Sequence, residues 1–326
     1  MADQHWLCSA VAVKDVYTET IGGTWVAAET YTITVGSRSL VVTIGSLVTT
    51  AQVATTIKQA FESQSFTDTT ASCLPEAGGT SIPEMASITA TVSGSVVTFR
   101  GDVAGVPHTL SSSEASTSGT VSLVNTIPAT GPNDRANAAN WSAGALATGD
   151  TVTIDRPVSL LYGASQSGVL LASLYISPTF VAANRIGLPV RNAAGYEEYR
   201  PTEWEIGVTS LLSRATSNLI KINTGTGACA ADIRSTGSAS AEDQRSAFQL
   251  RGNHASNSLV VYGGLAGYGS NDETSQLATC AIHGGTFVAG RNCTIAAFTK
   301  DGGSATLRKN PTTTTNIAGN LLISAG

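Results

Sequence analysis

Residues 263–320 read GGLAGYGSNDETSQLATCAIHGGTFVAGRNCTIAAFTKDGGSATLRKNPTTTTNIAGN. Gly263-Gly264, Gly284-Gly285 and Gly302-Gly303 each open a short β-rich stretch, and Gly319-Asn320 continues the series at spacings of 21, 18 and 17 residues. A turn recurring at that period is what the stacked coils of a β-helix or β-solenoid produce, because each coil turns at a Gly corner and buries alternate side chains. Upstream, Thr151–Ile154, Leu170–Ile176, Leu219–Ile222 and Leu259–Tyr262 have the same character, as does Leu321–Ile323 downstream, with almost no helical periodicity between them. The reading for residues 131–326 is a β-helix-like domain; a β-sandwich or jelly roll is the competing arrangement. Exposed solenoid ends invite edge pairing, so self-association is expected, with a homotrimer as one closed form.

The N-terminal part has a different pattern. Tyr31, Thr32, Ile33, Thr34 and Val35 alternate strictly, and Ser39–Ile44 repeats the strand character after a Gly36-Ser37 turn, which predicts a hairpin with one buried face. Thr50–Ser63 is the one convincing helix: Thr49-x-x-Gln52 forms a capping box, and Val53, Ile57 and Phe61 share a face. Ser87–Arg100 predicts a second hairpin turning at Ser93-Gly94, and Thr120–Ile127 another strand. Residues 1–130 are therefore expected to form a small α+β module, one helix on an antiparallel sheet. The boundary falls near Gly131, inside the turn-rich stretch NTIPATGPNDRANAAN (Asn125–Asn140). The protein as a whole is expected to be mainly β.

Composition narrows the function classes. The 326 residues carry a net charge of -5, and only 13% are charged, against about 25% in an ordinary soluble domain. Forty-three Thr and 36 Ser supply the missing polarity. The charge is uneven, -6 over residues 1–130 and +1 over residues 131–326. An acidic balance with 5 Lys excludes nucleic acid as the expected partner. No apolar run reaches the roughly 20 residues of a membrane helix, and the first residues lack a secretory pattern. Cys8, Cys73, Cys229, Cys280 and Cys293 are scattered and odd in number, which reads as free thiols of a reducing cytoplasm. A Cys280–Cys293 bridge is left open.

Few residues suggest chemistry. Tyr196–Glu205 (YEEYRPTEWE) packs four carboxylates and three aromatics into ten residues. A sugar-cleaving site needs two carboxylates about 5–10 Å apart, and Glu203 and Glu205 would share a strand face, with Glu197 and Glu198 nearby. Aromatics and Arg are also enriched at interfaces, so Tyr196, Tyr199, Arg200 and Trp204 are read as contact residues instead. Cys280-x2-His283 with Cys293 lacks a fourth zinc ligand. Asp272 and Asp301 form no calcium ladder, Asp150 and Asp155 read as turn residues, and Ser165 lacks a nucleophile elbow. His254 reads as a turn residue, and His5 and His108 have no carboxylate at useful spacing. No catalytic residue, metal or cofactor is expected.

Gly131–Asp134 (GPND), Asn140–Ser142 (NWS), Gly149–Asp155 (GDTVTID), Leu160–Gly163 (LLYG), Ile186–Pro189 (IGLP) and Tyr199–Thr202 (YRPT) carry a resemblance. Together they are similar to a group of tailed-bacteriophage structural proteins, and Tyr31–Val35 and Ala86–Pro107 resemble a small module frequent before that segment. The likeness covers about half the chain and implies a virion structural protein rather than an enzyme. The expectation is a trimeric capsid decoration or cement protein, made in the host cytoplasm, that binds the major capsid protein on the outer shell. A tail fibre or tailspike adhesin for host glycan is the first alternative, and a β-helix polysaccharide-degrading enzyme the second. The charge split adds that the acidic module docks on a basic shell surface through Glu62, Asp68 and Glu76.

Overall fold

A computed structural model describes residues 1–36, 38–45, 49–63, 66–67, 71–75, 82–191, 197–241, 246–269, 273–290, 292–307, 316–317 and 321–323. Strand accounts for 49% and helix for 8%, so the protein is mainly β. The chain forms two compact units, a small one of residues 11–132 and 191–200 and a large one of residues 1–10, 133–190 and 201–326. Relative to a division near Gly131, two segments are exchanged between the units. Strand β1 (Asp3–His5) pairs in parallel with Thr151–Thr153 and so joins the large unit. Residues 191–200 return to the small unit, where the Tyr199 side chain lies so close to Gly36 that a Cβ there would meet the Tyr199 Cβ at 2.3 Å. Local periodicity carries no signal for either exchange.

The small unit contains β2 (Val16–Gly23), β3 (Thr30–Val35), β4 (Arg38–Ile44), α1 (Thr50–Ser63), β5 (Phe66–Thr67), β6 (Ala71–Pro75), β7 (Ile88–Ser93), β8 (Val96–Gly101), β9 (Leu110–Ala115) and β10 (Gly119–Ile127). These make two antiparallel sheets, ordered β10-β2-β8-β7 and β5-β6-β4-β3-β9. The predicted hairpins form as β3–β4 and β7–β8. Alternation in β3 sends Tyr31, Ile33 and Val35 into the core and the intervening Thr outward. The capping box also forms: Gln52 N donates to Thr49 Oγ1 at 3.3 Å and Thr49 N to Gln52 Oε1 at 2.9 Å. Val53, Ile57 and Phe61 are buried, with the Phe61 ring 4.9 Å from Phe99. The helix packs against strands of both sheets, so its single apolar stripe serves two sheets where one was expected.

The large unit contains β1, β11 (Thr151–Ile154), β12 (Gln166–Ile176), β13 (Arg185–Ile186), β14 (Trp204–Ser213), β15 (Leu219–Asn223), β16 (Ala230–Ile233), β17 (Phe248–Arg251), β18 (Ser258–Val261), β19 (Leu265–Tyr268), β20 (Ser275–Ile282), β21 (Thr286–Ala289), β22 (Cys293–Lys300), β23 (Ser304–Leu307), β24 (Asn316–Ile317) and β25 (Leu321–Ile323). They form one large curled 16-stranded sheet, parallel at every pairing. From β14 onward the strands alternate between an even ladder, β14-β16-β18-β20-β22, and an odd ladder, β15-β17-β19-β21-β23. Strand β14 belongs to both ladders: its start pairs with β15 and its end with β16.

The Gly pairs are the passages from even to odd strands. Gly264, Gly285 and Gly303 have φ of +80°, +70° and +62°, which L side chains resist. They also stack backbone on backbone: a Cβ on Gly285 would lie 2.5 Å from Gly264 O, and one on Gly303 2.4 Å from Gly285 O. Gly319-Asn320 lies outside the described residues. Between the ladders lies a core of Leu, Ile, Val and Phe, entered at one end by three tryptophans. Trp6 meets Trp141 edge-on at 4.8 Å, and Trp141 stacks on Trp204 at 6.0 Å.

Candidate functional site

Three of the residues expected to form a contact surface, Tyr199, Arg200 and Trp204, are engaged inside the fold. Trp204 is fully buried, and its Nε1 donates to Gln166 Oε1 at 2.8 Å. It starts β14 with its ring inward, which corrects its reading as a contact residue. In the small unit, Arg200 holds Glu198 through two hydrogen bonds of 2.6 and 2.7 Å, and Tyr199 packs against the core. Both are therefore committed to internal partners. Glu62 is exposed and pairs with Lys58 at 2.6 Å one helical turn away. Tyr196, Asp68 and Glu76 lie outside the described residues.

Glu203 is brought instead to Arg251, which lines a cleft at the ends of β15 and β17 and the start of β20. Asn223, Gly225 and Thr226 at the end of β15, Arg251, Gly252 and Asn253 at the end of β17, and Glu273, Thr274 and Ser275 at the start of β20 line a space of about 320 Å3. In its lining Arg251 is held by two carboxylates: Nε donates to Glu203 and Nη1 to Glu273. Burial pushes the Glu203 carboxyl up, with the Arg251 guanidinium pulling the other way. Arg251 itself is held above its ordinary value, because its two carboxylates outweigh the cost of its burial. The guanidinium fills the gap between the acids that a hydrolytic water or a glycosidic oxygen would need. Both carboxylates are thus engaged by Arg251.

Two backbone devices shape the cleft. Gly225 has φ +62°, and a Cβ on Gly252 would lie 2.2 Å from Thr224 Oγ1. The amides are oriented from within, since Asn223 Oδ1 accepts from Gly225 N at 2.9 Å and Asn253 Oδ1 accepts from Gln276 Nε2 at 2.7 Å.

A second assembly runs along the even ladder, at the residues just before the Gly pairs. Arg234 lies over the Tyr262 ring at 4.2 Å, and Tyr262 stacks on His283 at 4.9 Å. His283 Nδ1 is 2.8 Å from Asp301, and Arg234 pairs with Asp232. His283 and Asp301 face outward, whereas Cys280 and Cys293 are buried free thiols pushed up by burial. The His and Cys side chains thus diverge, and among the described residues no three ligands gather for a metal. Asp272 lies outside them.

The structure also supplies carboxylates that sequence spacing did not. His5 Nδ1 is 3.0 Å from Asp155. Asp150 caps the turn before β11, held below the usual carboxylate range by the backbone N–H groups of Ala2 and Ala147. In the small unit Ser87 Oγ is 3.0 Å from His108 Nε2, and Asp15 lies on the other side of the ring. By residue type this is a nucleophile–base–acid set. Its geometry is that of a scaffold: His108 Nδ1 is 3.8 Å from Asp15, beyond hydrogen-bond reach. Asp15 instead accepts from His108 N at 2.7 Å, Asn125 Nδ2 at 3.2 Å and Ala129 N at 3.3 Å, tying three segments together. Burial, with the Arg200 charge adding to it, lowers the His108 imidazole to about 4, a weak base at neutral pH.

Compared with protein-family models, with curated proteins and with solved structures, the chain matches none.

Proposed function

We propose that the chain is a non-enzymatic virion structural protein, a trimeric decoration or cement protein that binds the assembled shell of a tailed bacteriophage. The observation that carries this reading is how the family-like motifs are used. Asn133 O accepts from Leu161 N at 2.9 Å and Tyr162 N at 3.1 Å, which joins GPND to LLYG. Leu160 N donates to Arg185 O and Gly187 N to Leu160 O, both at 2.8 Å, joining LLYG to IGLP. Leu188 N donates to Thr202 O at 3.0 Å, joining IGLP to the RPT segment. At the centre Arg135 is fully buried, donating to Leu161 O at 3.3 Å and to Glu203 O at 2.8 Å. The motifs form one scaffold, which is the use expected in a virion body.

The alternating parallel ladders support the finer reading of the fold as a β-solenoid with stacked Gly corners. A low-charge body of this kind stabilises a shell by mass action when it binds only the assembled form. Particles grown without the gene and mixed with the purified chain test the proposal. Saturable binding over the shell, with a raised particle disruption temperature, is the expected result. Binding confined to the tail moves the protein to a fibre or spike, and no binding contradicts both virion roles.

A further inference from the structure

The cleft at Arg251 has unspent hydrogen-bonding capacity of a specific kind. The Oδ1 atoms of Asn223 and Asn253 are used internally, so both side-chain amides are fixed in orientation while their Nδ2 donors have no partner among the described residues. Arg251 spends Nε and Nη1 on Glu203 and Glu273, and its Nη2 has no partner among the described residues. Thr226 and Thr274 line the same space, both are exposed, and their hydroxyls have no partner among the described residues. Three residues with planar donor groups, two with hydroxyls and the carboxylate of Glu273 line about 320 Å3, the lower range of small-molecule sites, and Glu203 adds its charge through Arg251.

We propose that this cleft binds a neutral, hydroxyl-rich saccharide. Vicinal hydroxyls donate and accept at once, so they can satisfy amide N–H, guanidinium and carboxylate groups that lie side by side. The formal charge of Glu203, Arg251 and Glu273 together is negative, which disfavours uronates and other anionic sugars. The donors are already held in place, so little ordering is lost on binding. No aromatic platform lines the cleft among the described residues, so recognition rests on hydrogen bonds and affinity is modest. This inference stands apart from the shell-binding reading, since the cleft and its chemistry are the same whether or not the chain decorates a capsid.

The experiment is an amide NMR titration of the intact protein with maltohexaose, chitohexaose and a galacturonate hexamer, each to about 10 mM, above the millimolar affinity expected of an open polar site. The neutral oligomers are expected to shift the amides of Gly225, Thr226, Asn253 and Thr274, with the uronate at least about tenfold weaker. Asn253→Ala and the near-isosteric Thr274→Val are each expected to weaken binding by about five- to tenfold, the value of one hydrogen bond, with the rest of the spectrum unchanged. The proposal is overturned if neither neutral oligomer shifts those amides, if the shifts fall elsewhere, if the uronate binds as well, or if both variants bind like the parent.

Discussion

Gly303 illustrates how strictly single residues are specified in the large unit. Its φ of +62° and the 2.4 Å approach of Gly285 O leave no room for a Cβ. Gly303→Ala is expected to destabilise the protein by about 1–3 kcal/mol, read as a lower denaturation midpoint. A midpoint equal to the parent's would mean that the corner adapts. The neighbouring stack makes a second residue-scale claim. Tyr262→Ala removes contacts with Arg234 and His283 and is expected to cost about 1–2 kcal/mol, with a coupling to Arg234 of at least about 0.5 kcal/mol in a double-mutant cycle. Both sites were half legible in the sequence. The Gly pairs were visible, and Tyr262, His283 and Asp301 immediately precede them, but only ladder register shows that consecutive corners stack. The cleft was not legible, because Glu203, Arg251 and Glu273 are far apart in the chain and meet only through strand pairing.

At the scale of elements, α1 is the case in which local signals sufficed. Its cap, its apolar stripe and its length were all in the sequence, and Thr49→Ala is expected to cost about 1 kcal/mol, measurable as faster amide exchange in the first turn. Burial decided the rest of the small unit, and periodicity does not reveal which polar residues it encloses. Glu19 in β2 is fully buried, accepts from Tyr31 Oη at 3.2 Å, and is pushed by burial to about 7. Its unfolded value is near 4.5, so its protonated form favours the fold and that contribution is lost as pH rises from about 4.5 to 7. His108 acts oppositely: its folded value of about 4 lies below 6.5, so stability is lost as pH falls from about 6.5 to 4. The two effects offset each other over most of that range. Glu19→Gln is therefore expected to leave a stability that climbs from pH 4 to 6.5, followed by exchange of the β2 and β8 amides. A flat profile in the variant would show that His108 does not titrate as its burial requires.

At the scale of the whole molecule, the mainly β class and the run of short strands were readable from Thr, Val and Gly usage, while the exchange of residues 1–10 and 191–200 between units was not. Only long-range pairing, such as Asp3 with Thr151, determines it. The charge split of -6 against +1 bears on attachment to a shell. If the acidic part docks on a basic surface, raising salt from about 0.1 to 1 M shortens the screening length from about 10 to 3 Å and is expected to release the protein from particles. Retention at high salt would point to apolar or strand-pairing contacts instead.

The most direct measurement of the proposed role is the number of copies of this chain per particle, by quantitative mass spectrometry of purified virions against the major shell subunit. A copy number on the scale of that subunit is the expected result for a decoration protein. A handful of copies would place the chain in the tail, and its absence from particles would contradict the account.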